Sequence, residues 1–236
     1  ELVNAPEPEP FESPASWLSR MALMQGAHLK ELLSYLNIDM QSDIDLQMAT
    51  LDTSLLAKVC GLPESSFGFM KHMFSQLREI EGDGKTFLLQ KDSLARYRFC
   101  PRCLGEQHTP HFPVHWRFKA WRWCPLHNCL LSDFCPRCRA VVILPMNMLK
   151  AGRKGLGVAY LSNCQVCGAK LMNKPKSKRI KASKYRLSTN DHFLLANGRT
   201  LLSALYHTKF KIGESSQKYP VSAIRGLETH GYFPPE

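Results

Sequence analysis

Eight residues in the middle of the chain fall into four closely spaced pairs. Cys100-Pro-Arg-Cys103 is followed, after twenty residues, by Cys124-Pro-Leu-His127. Cys135-Pro-Arg-Cys138 is followed, after twenty-five, by Cys164-Gln-Val-Cys167. A C-x2-C pair can wrap a tight turn that aims two sulfurs at one metal, and two such pairs complete a tetrahedron. Zinc suits closed, sulfur-rich sites because it has no d-electron geometric demand and no redox chemistry. Pro101, Pro125 and Pro136 lie inside three of the turns and Gly168 follows the fourth, which stiffens or permits each knuckle. The spacing predicts two structural Zn2+ ions per chain. Cys100, Cys103, Cys124 and His127 are the first ligand set; Cys135, Cys138, Cys164 and Cys167 are the second. Cys129, two residues beyond His127, is an alternative ligand at a looser spacing, and iron–sulfur chemistry is the rival to zinc. A catalytic zinc needs an open coordination position, and each set already supplies four donors. Zinc-finger peptides gain on the order of 10–16 kcal/mol on binding metal, so without metal this segment is expected to unfold. Cys60 reads as a core thiol.

The nine cysteines are an odd number, and no signal peptide is visible at the start of the sequence. Both argue against a secreted disulfide framework. No apolar stretch approaches the roughly 18 residues of a membrane span, and a cytoplasmic, prokaryotic protein is expected. The formal net charge of +11 is unevenly spread. Residues 1–99 carry 9 Lys/Arg against 14 Asp/Glu, and residues 100–236 carry 22 against 6. A basic C-terminal half favours a polyanionic partner such as nucleic acid, though charge also serves solubility alone.

The elements that must position the cysteines read as mainly α with small zinc-ribbon β elements. Three segments are expected. An N-terminal arm and a helix-turn-helix-like helical domain occupy residues 1–98. Tandem zinc ribbons occupy 99–173. A basic linker and a C-terminal helical segment occupy 174–236. Residues 1–14 are rich in Pro and Glu and suggest an extended arm; residues 37–50 are polar and acidic. Ala22-x3-Gly26-x5-Leu32 and Ala57-x3-Gly61-x5-Phe67 repeat one skeleton: a small residue, a turn glycine, then a bulky apolar residue. That is the pattern of a helix-turn-helix, and equally of a helical hairpin with no DNA role.

Two stretches are candidates for nucleic-acid contact. In Phe112 to Trp123, aromatics alternate with Arg117, Lys119 and Arg122. Bases could stack there while cations meet phosphates, or the aromatics pack a core and the charges face water; the second reading is favoured. The run Lys174, Lys176, Lys178, Arg179, Lys181, Lys184 and Arg186 contains seven cations and no acid. It reads as a phosphate-tracking segment or as a solvated linker. No P-loop, dinucleotide fingerprint, G-x-S-x-G or H-E-x-x-H occurs. The acids, including Asp39, Asp43 and Asp45, fall in stretches that look flexible or exposed. An enzyme is not expected.

The order of motifs resembles the TniQ/TnsD family of transposition target-selection proteins. The resemblance rests on Glu12-Ser13-x2-Ser16-Trp17-Leu18-Ser19-Arg20, then Tyr97-Arg98-Phe99-Cys100-Pro101-x-Cys103. It continues through Trp116-Arg117, Trp123-Cys124-Pro125-x-His127-x2-Leu130-Leu131-x3-Cys135-Pro136-x-Cys138 and Cys164-x2-Cys167-Gly168-x2-Leu171. It covers about residues 10–172. It implies a non-catalytic adaptor that bridges a target-recognition module, either a CRISPR effector with its guide RNA or DNA itself, to an AAA+ transposition regulator of the TnsC kind. The short chain is similar to the TniQ-like members. Trp17 and Arg20 are then the first partner-contact candidates, and the sequence leaves a homodimer open. A free-standing, sequence-specific DNA-binding regulator is the alternative, and a zinc-dependent nuclease subunit comes third.

Overall fold

The structure is a computed structural model that describes residues 2–40, 42–80, 85–172, 188–212 and 214–229. Among these residues there are eight α-helices and three small antiparallel sheets. The helical part begins with α1 (Pro14–Met24) and α2 (Leu29–Tyr35), then α3 (Ile44–Gln47), α4 (Thr53–Cys60) and α5 (Gly68–Ile80). A 3-10 turn at Glu64–Phe67 leads into α5.

The two repeated skeletons share one local geometry. Gly26 follows α1 at φ 60°, and Gly61 follows α4 at φ 64°. The residue after each glycine sends its N–H back to the small residue: Ala27 to the Ala22 carbonyl and Leu62 to the Ala57 carbonyl, both at 3.0 Å. This left-handed cap ends a helix and satisfies its last carbonyls, and glycine adopts it without a Cβ penalty. The bulky members of the pattern, Leu32 and Phe67, are buried. Trp17 of α1 packs edge-on against Phe67 with centroids 5.1 Å apart, which joins the two helix pairs.

β1 (Gln90–Lys91), β2 (Leu94–Tyr97) and β5 (Val142–Leu144) form a three-stranded sheet in the order β1-β2-β5. Ala95 pairs with Leu144 and Tyr97 with Val142, so a backbone ladder ties residues before position 98 to residues well beyond it. Helix α1 is the hub of this junction. Nine of its eleven residues are buried. The Ser13 N–H donates to the Phe112 carbonyl at 2.9 Å, and the Met146 N–H donates to Ser19 Oγ at 3.0 Å.

Between these strands lie α6 (Pro101–Glu106) and the hairpin β3 (Trp123–Cys124) with β4 (Cys129–Leu130). The expected C-terminal helix is α7 (Thr189–His207), started by a capping box of Ser188 and Asp191. It packs on α5, and a Cβ at Gly198 would sit 2.9 Å from the Ala120 carbonyl oxygen, so its backbone lies directly on that loop. A hairpin of β6 (Lys209–Lys211) and β7 (Lys218–Pro220), then α8 (Ile224–Thr229), completes the described chain. No helix among the described residues is long and apolar enough to cross a membrane.

The acidic stretch 37–50 departs from expectation. It contains α3, and both Asp43 and Asp45 are buried. Asp43 caps α3, and Asp45 Oδ1 accepts the Ala15 N–H at 2.8 Å. Charge in the sequence does not mark these carboxylates as internal, because their partner Arg117 is over seventy residues away.

Candidate metal centres

The first cluster is assembled from a helix start and a hairpin. Cys100 is the N-cap residue of α6, Pro101 occupies its first turn, and Cys103 follows within that turn. This pair therefore sits on a helix rather than on the tight turn expected from sequence. Cys124 ends β3, and His127 lies in the turn to β4, where Asn128 takes φ 48°. His127 Nδ1 is 3.5 Å from Cys100 Sγ, 3.3 Å from Cys103 Sγ and 3.5 Å from Cys124 Sγ. Cys103 and Cys124 sulfurs are 3.5 Å apart. The four donor atoms all lie within 4.8 Å of one another.

The second cluster is built from two matching knuckles. In each, the N–H two residues after the first cysteine points at its sulfur: Arg137 to Cys135 and Val166 to Cys164, both at 3.4 Å. In each, the fourth residue after that cysteine takes a left-handed conformation, Arg139 at φ 62° and Gly168 at φ 67°. Cys135 and Cys167 sulfurs are 3.7 Å apart, and Cys138 and Cys164 sulfurs 3.6 Å. All nine cysteines are free thiols.

These separations test the fit to a metal. A tetrahedron with metal–sulfur bonds of about 2.3 Å has sulfur–sulfur edges of about 3.8 Å. The observed edges lie close to that, and they are far too long for a disulfide. Each group can therefore hold a metal ion, and the donor chemistry suits a thiophilic one.

The surroundings split the thiols of each cluster: Cys100, Cys124 and Cys135 are drawn toward the anion, whereas Cys103, Cys138 and Cys164 are held toward the thiol. Burial raises the Cys135 thiol, but backbone N–H groups of Cys138 and Arg137 outweigh it and bring the group down to about 7. Cys100 is brought down to about 6, chiefly by hydrogen bonding with Cys103. The His127 ring is held from its far side, where Nε2 lies 2.9 Å from Glu106 Oε2. Burial pulls its pKa down, but bonds to Cys124 and Glu106 dominate and the net shift is upward. Glu106 ends the helix that carries two of the sulfurs, so one short element supplies both donors and the group that orients a third. Sequence spacing gave no sign of Glu106, because its partner is twenty-one residues away.

Cys129 Sγ is 3.9 Å from Cys100 Sγ but does not belong to the mutually close group of four. Cys60 is buried in the helical part, and burial pushes its thiol up to about 11.

Among the other candidates, Arg117, Trp17 and Arg20 are placed differently from expectation, whereas the aromatics of residues 112–123 follow the favoured reading. Arg117 is fully buried, bonded to Asp43 and Asp45, and lies over the Tyr97 ring. It cannot meet a phosphate, because its charge is already matched inside the core. Lys119 is half-buried and Arg122 exposed. Around them Phe112, Trp116, Phe118, Trp121 and Trp123 are buried, so these aromatics are core rather than a stacking platform. Trp17 and Arg20 are also buried. Trp17 Nε1 donates to the Pro6 carbonyl at 2.7 Å, and Arg20 pairs with the buried Glu12. Both fasten residues 6–12 of the extended arm onto α1, which removes these two side chains from any partner surface. The cationic run Lys174 to Arg186, with the terminal residues 230–236, lies outside the described residues.

A cleft of about 690 Å3 lies beside the first cluster, lined in part by Phe11, Phe69, His115, Trp121, Leu126 and Tyr206. Burial drives the His115 imidazole down to about 4, so it is neutral at pH 7.

A comparison with curated proteins finds no match. The family model described as TniQ matches residues 4–131, which span the helical part and the whole first cluster. With more than half of its length under that match, the chain belongs to the TniQ family.

Proposed function

We propose that the chain is a non-catalytic transposition target-selection adaptor that links a target-recognition module to an AAA+ transposition regulator. The observation that carries this reading is the family match over residues 4–131. Family membership points to a transposition-associated role in target selection. The chemistry of the site supports it. Each metal group offers four protein donors, which leaves no coordination position for an activated water. We assign one structural Zn2+ to each group, on the strength of the sulfur-rich donor sets and their tetrahedral edges.

Charge polarity suits a bridge between unlike partners. The acidic first 99 residues fit a basic protein surface, and the basic remainder fits nucleic acid. A pull-down of the AAA+ ATPase encoded beside the gene tests the reading. Recruitment by the metal-loaded chain supports it. A folded chain that never recruits the ATPase argues for the second reading, a free-standing DNA-binding regulator. That alternative draws on the paired helices hinged at Gly26 and Gly61. Metal-dependent hydrolase activity lost on mutation of a cluster would overturn both.

A further inference from the structure

The second metal cluster sits in a segment with an unusual surface. Residues 134–172 contain Arg137, Arg139, Lys150, Arg153, Lys154 and Lys170, and no Asp or Glu. All six cations are exposed. Within the described residues none of them forms an ion pair. The adjacent acid, Asp133, is taken by Arg96 and Arg98. A divalent ion on four thiolates carries two negative charges, so the segment remains strongly positive with metal bound.

Two of these cations stand on a loop whose shape is tightly specified. Gly152 takes φ 97°, Lys154 φ 60° and Gly155 φ 70°. A Cβ at Gly152 would fall 2.7 Å from the Leu156 carbonyl oxygen, and one at Gly157 would fall 3.0 Å from that of Met148. The Gly152 N–H donates to the Gln165 carbonyl at 2.7 Å, which pins the loop to the knuckle of Cys164 and Cys167. The Val158 N–H closes its neck on the Met148 carbonyl at 2.8 Å. Yet residues 153–157 are all exposed, and Leu156 is 70 % accessible. The core gains nothing from this tip. The left-handed Lys154 adds a conformational cost that packing does not offset.

We propose that this loop and the neighbouring knuckle cations form a contact surface for the phosphate backbone of duplex DNA. Exposed cations with no ion-pair partner among the described residues, on a fixed loop, are what a phosphate backbone recognises. Single strands are less well matched, because they are held largely by bases stacking on aromatic rings. The segment has two aromatic residues, Phe134 and Tyr160. The Phe134 ring already carries the Arg139 guanidinium at 4.9 Å, with that of Arg96 at 5.9 Å, which leaves the exposed Tyr160 as a single stacking ring rather than a platform. The surface deepens the target-selection reading by placing one of its nucleic-acid contacts. It is read on purified chain without the ATPase, so its failure leaves ATPase recruitment untouched.

The test is fluorescence anisotropy of the metal-loaded full chain on a short labelled duplex, repeated over a series of salt concentrations. R137Q/R153Q/K154Q is expected to weaken binding by at least about tenfold at low salt and to flatten the log–log salt slope by about 2–3. Its metal content and urea midpoint should match the parent. K30Q/K58Q, which removes two exposed cations from the helical half, should leave the slope as it is. A triple variant that keeps the parental affinity and slope overturns the proposal. So does a parent chain that binds single-stranded RNA of the same length more tightly than the duplex, or an equal loss in K30Q/K58Q.

Discussion

Arg117 and Asp45 form an ion pair that solvent does not reach, and it joins the two halves of the chain. Arg117 comes from the segment between the two ligand pairs of the first metal cluster, Asp45 from α3 of the helical part. Asp43 accepts from the same guanidinium at 3.0 Å, and the Tyr97 hydroxyl donates to Asp45. Burial raises the Asp45 pKa, opposed chiefly by Arg117, and the same carboxylates drive the Arg117 pKa upward against its burial. Arg117→Ala leaves two buried carboxylates uncompensated. It should cost about 3–5 kcal/mol of stability in urea unfolding. Arg117→Lys should recover only part of this, because an ammonium cannot serve both carboxylates with a planar fork. DNA affinity per folded molecule should be unchanged in either variant.

Glu12 and Arg20 make a second buried pair, closed by Ser16, whose hydroxyl donates to Glu12 at 2.7 Å and accepts the Phe112 N–H at 3.0 Å. Arg20→Ala should destabilise the chain by about 3 kcal/mol or more, through the stranded Glu12 carboxylate. Removal of residues 1–14 takes away Glu12 and Ser13, the N-cap of α1, and should lower the unfolding free energy by a similar amount. A truncated chain of parental stability would show that the segment is not fastened as described.

The candidate metal ligands were legible in sequence because zinc chemistry demands short, fixed spacings, and all eight converge in two groups of four. The repeated Ala-x3-Gly skeleton was legible for a similar reason, since a left-handed helix cap is a local event. The buried ion pairs were not. Asp43, Asp45 and Arg117 look like surface charges until distant segments meet, and only the fold brings them together. Ser16 and Arg20 lie one turn apart on α1, but Glu12 precedes the Ser13 cap, so helical spacing alone does not bring the three together. Trp17 was ambiguous: an aromatic beside an arginine suits an interface or a core, and here it holds the chain's own Pro6 carbonyl.

Glu106 orients the imidazole of His127. Outer partners of this kind typically set metal affinity by 10–100-fold. Glu106→Ala should therefore speed loss of metal from the first cluster in a chelator competition and leave the second cluster unaffected. Cys129→Ser should leave both metal contents unchanged, whereas His127→Ala should weaken the first alone.

Acid should destabilise the chain partly through His115. Burial holds its folded pKa at about 4, against about 6.5 for a free imidazole. The unfolded state thus binds the extra proton first as pH falls. This contribution is intact above pH 6.5, declines between about 6.5 and 4, and is about 3 kcal/mol in full. His115→Phe should show a shallower loss of stability across that window. An identical pH profile in the two proteins would mean the imidazole is not shielded as its neighbours imply.

Elemental analysis of the purified, folded chain tests most directly the claim that two closed metal centres organise this chain. The account predicts two zinc ions per chain, falling to one in Cys103→Ser and, independently, to one in Cys138→Ser, with no hydrolytic activity gained or lost. One metal or none in the folded parent protein, or an iron–sulfur chromophore in its place, would contradict it.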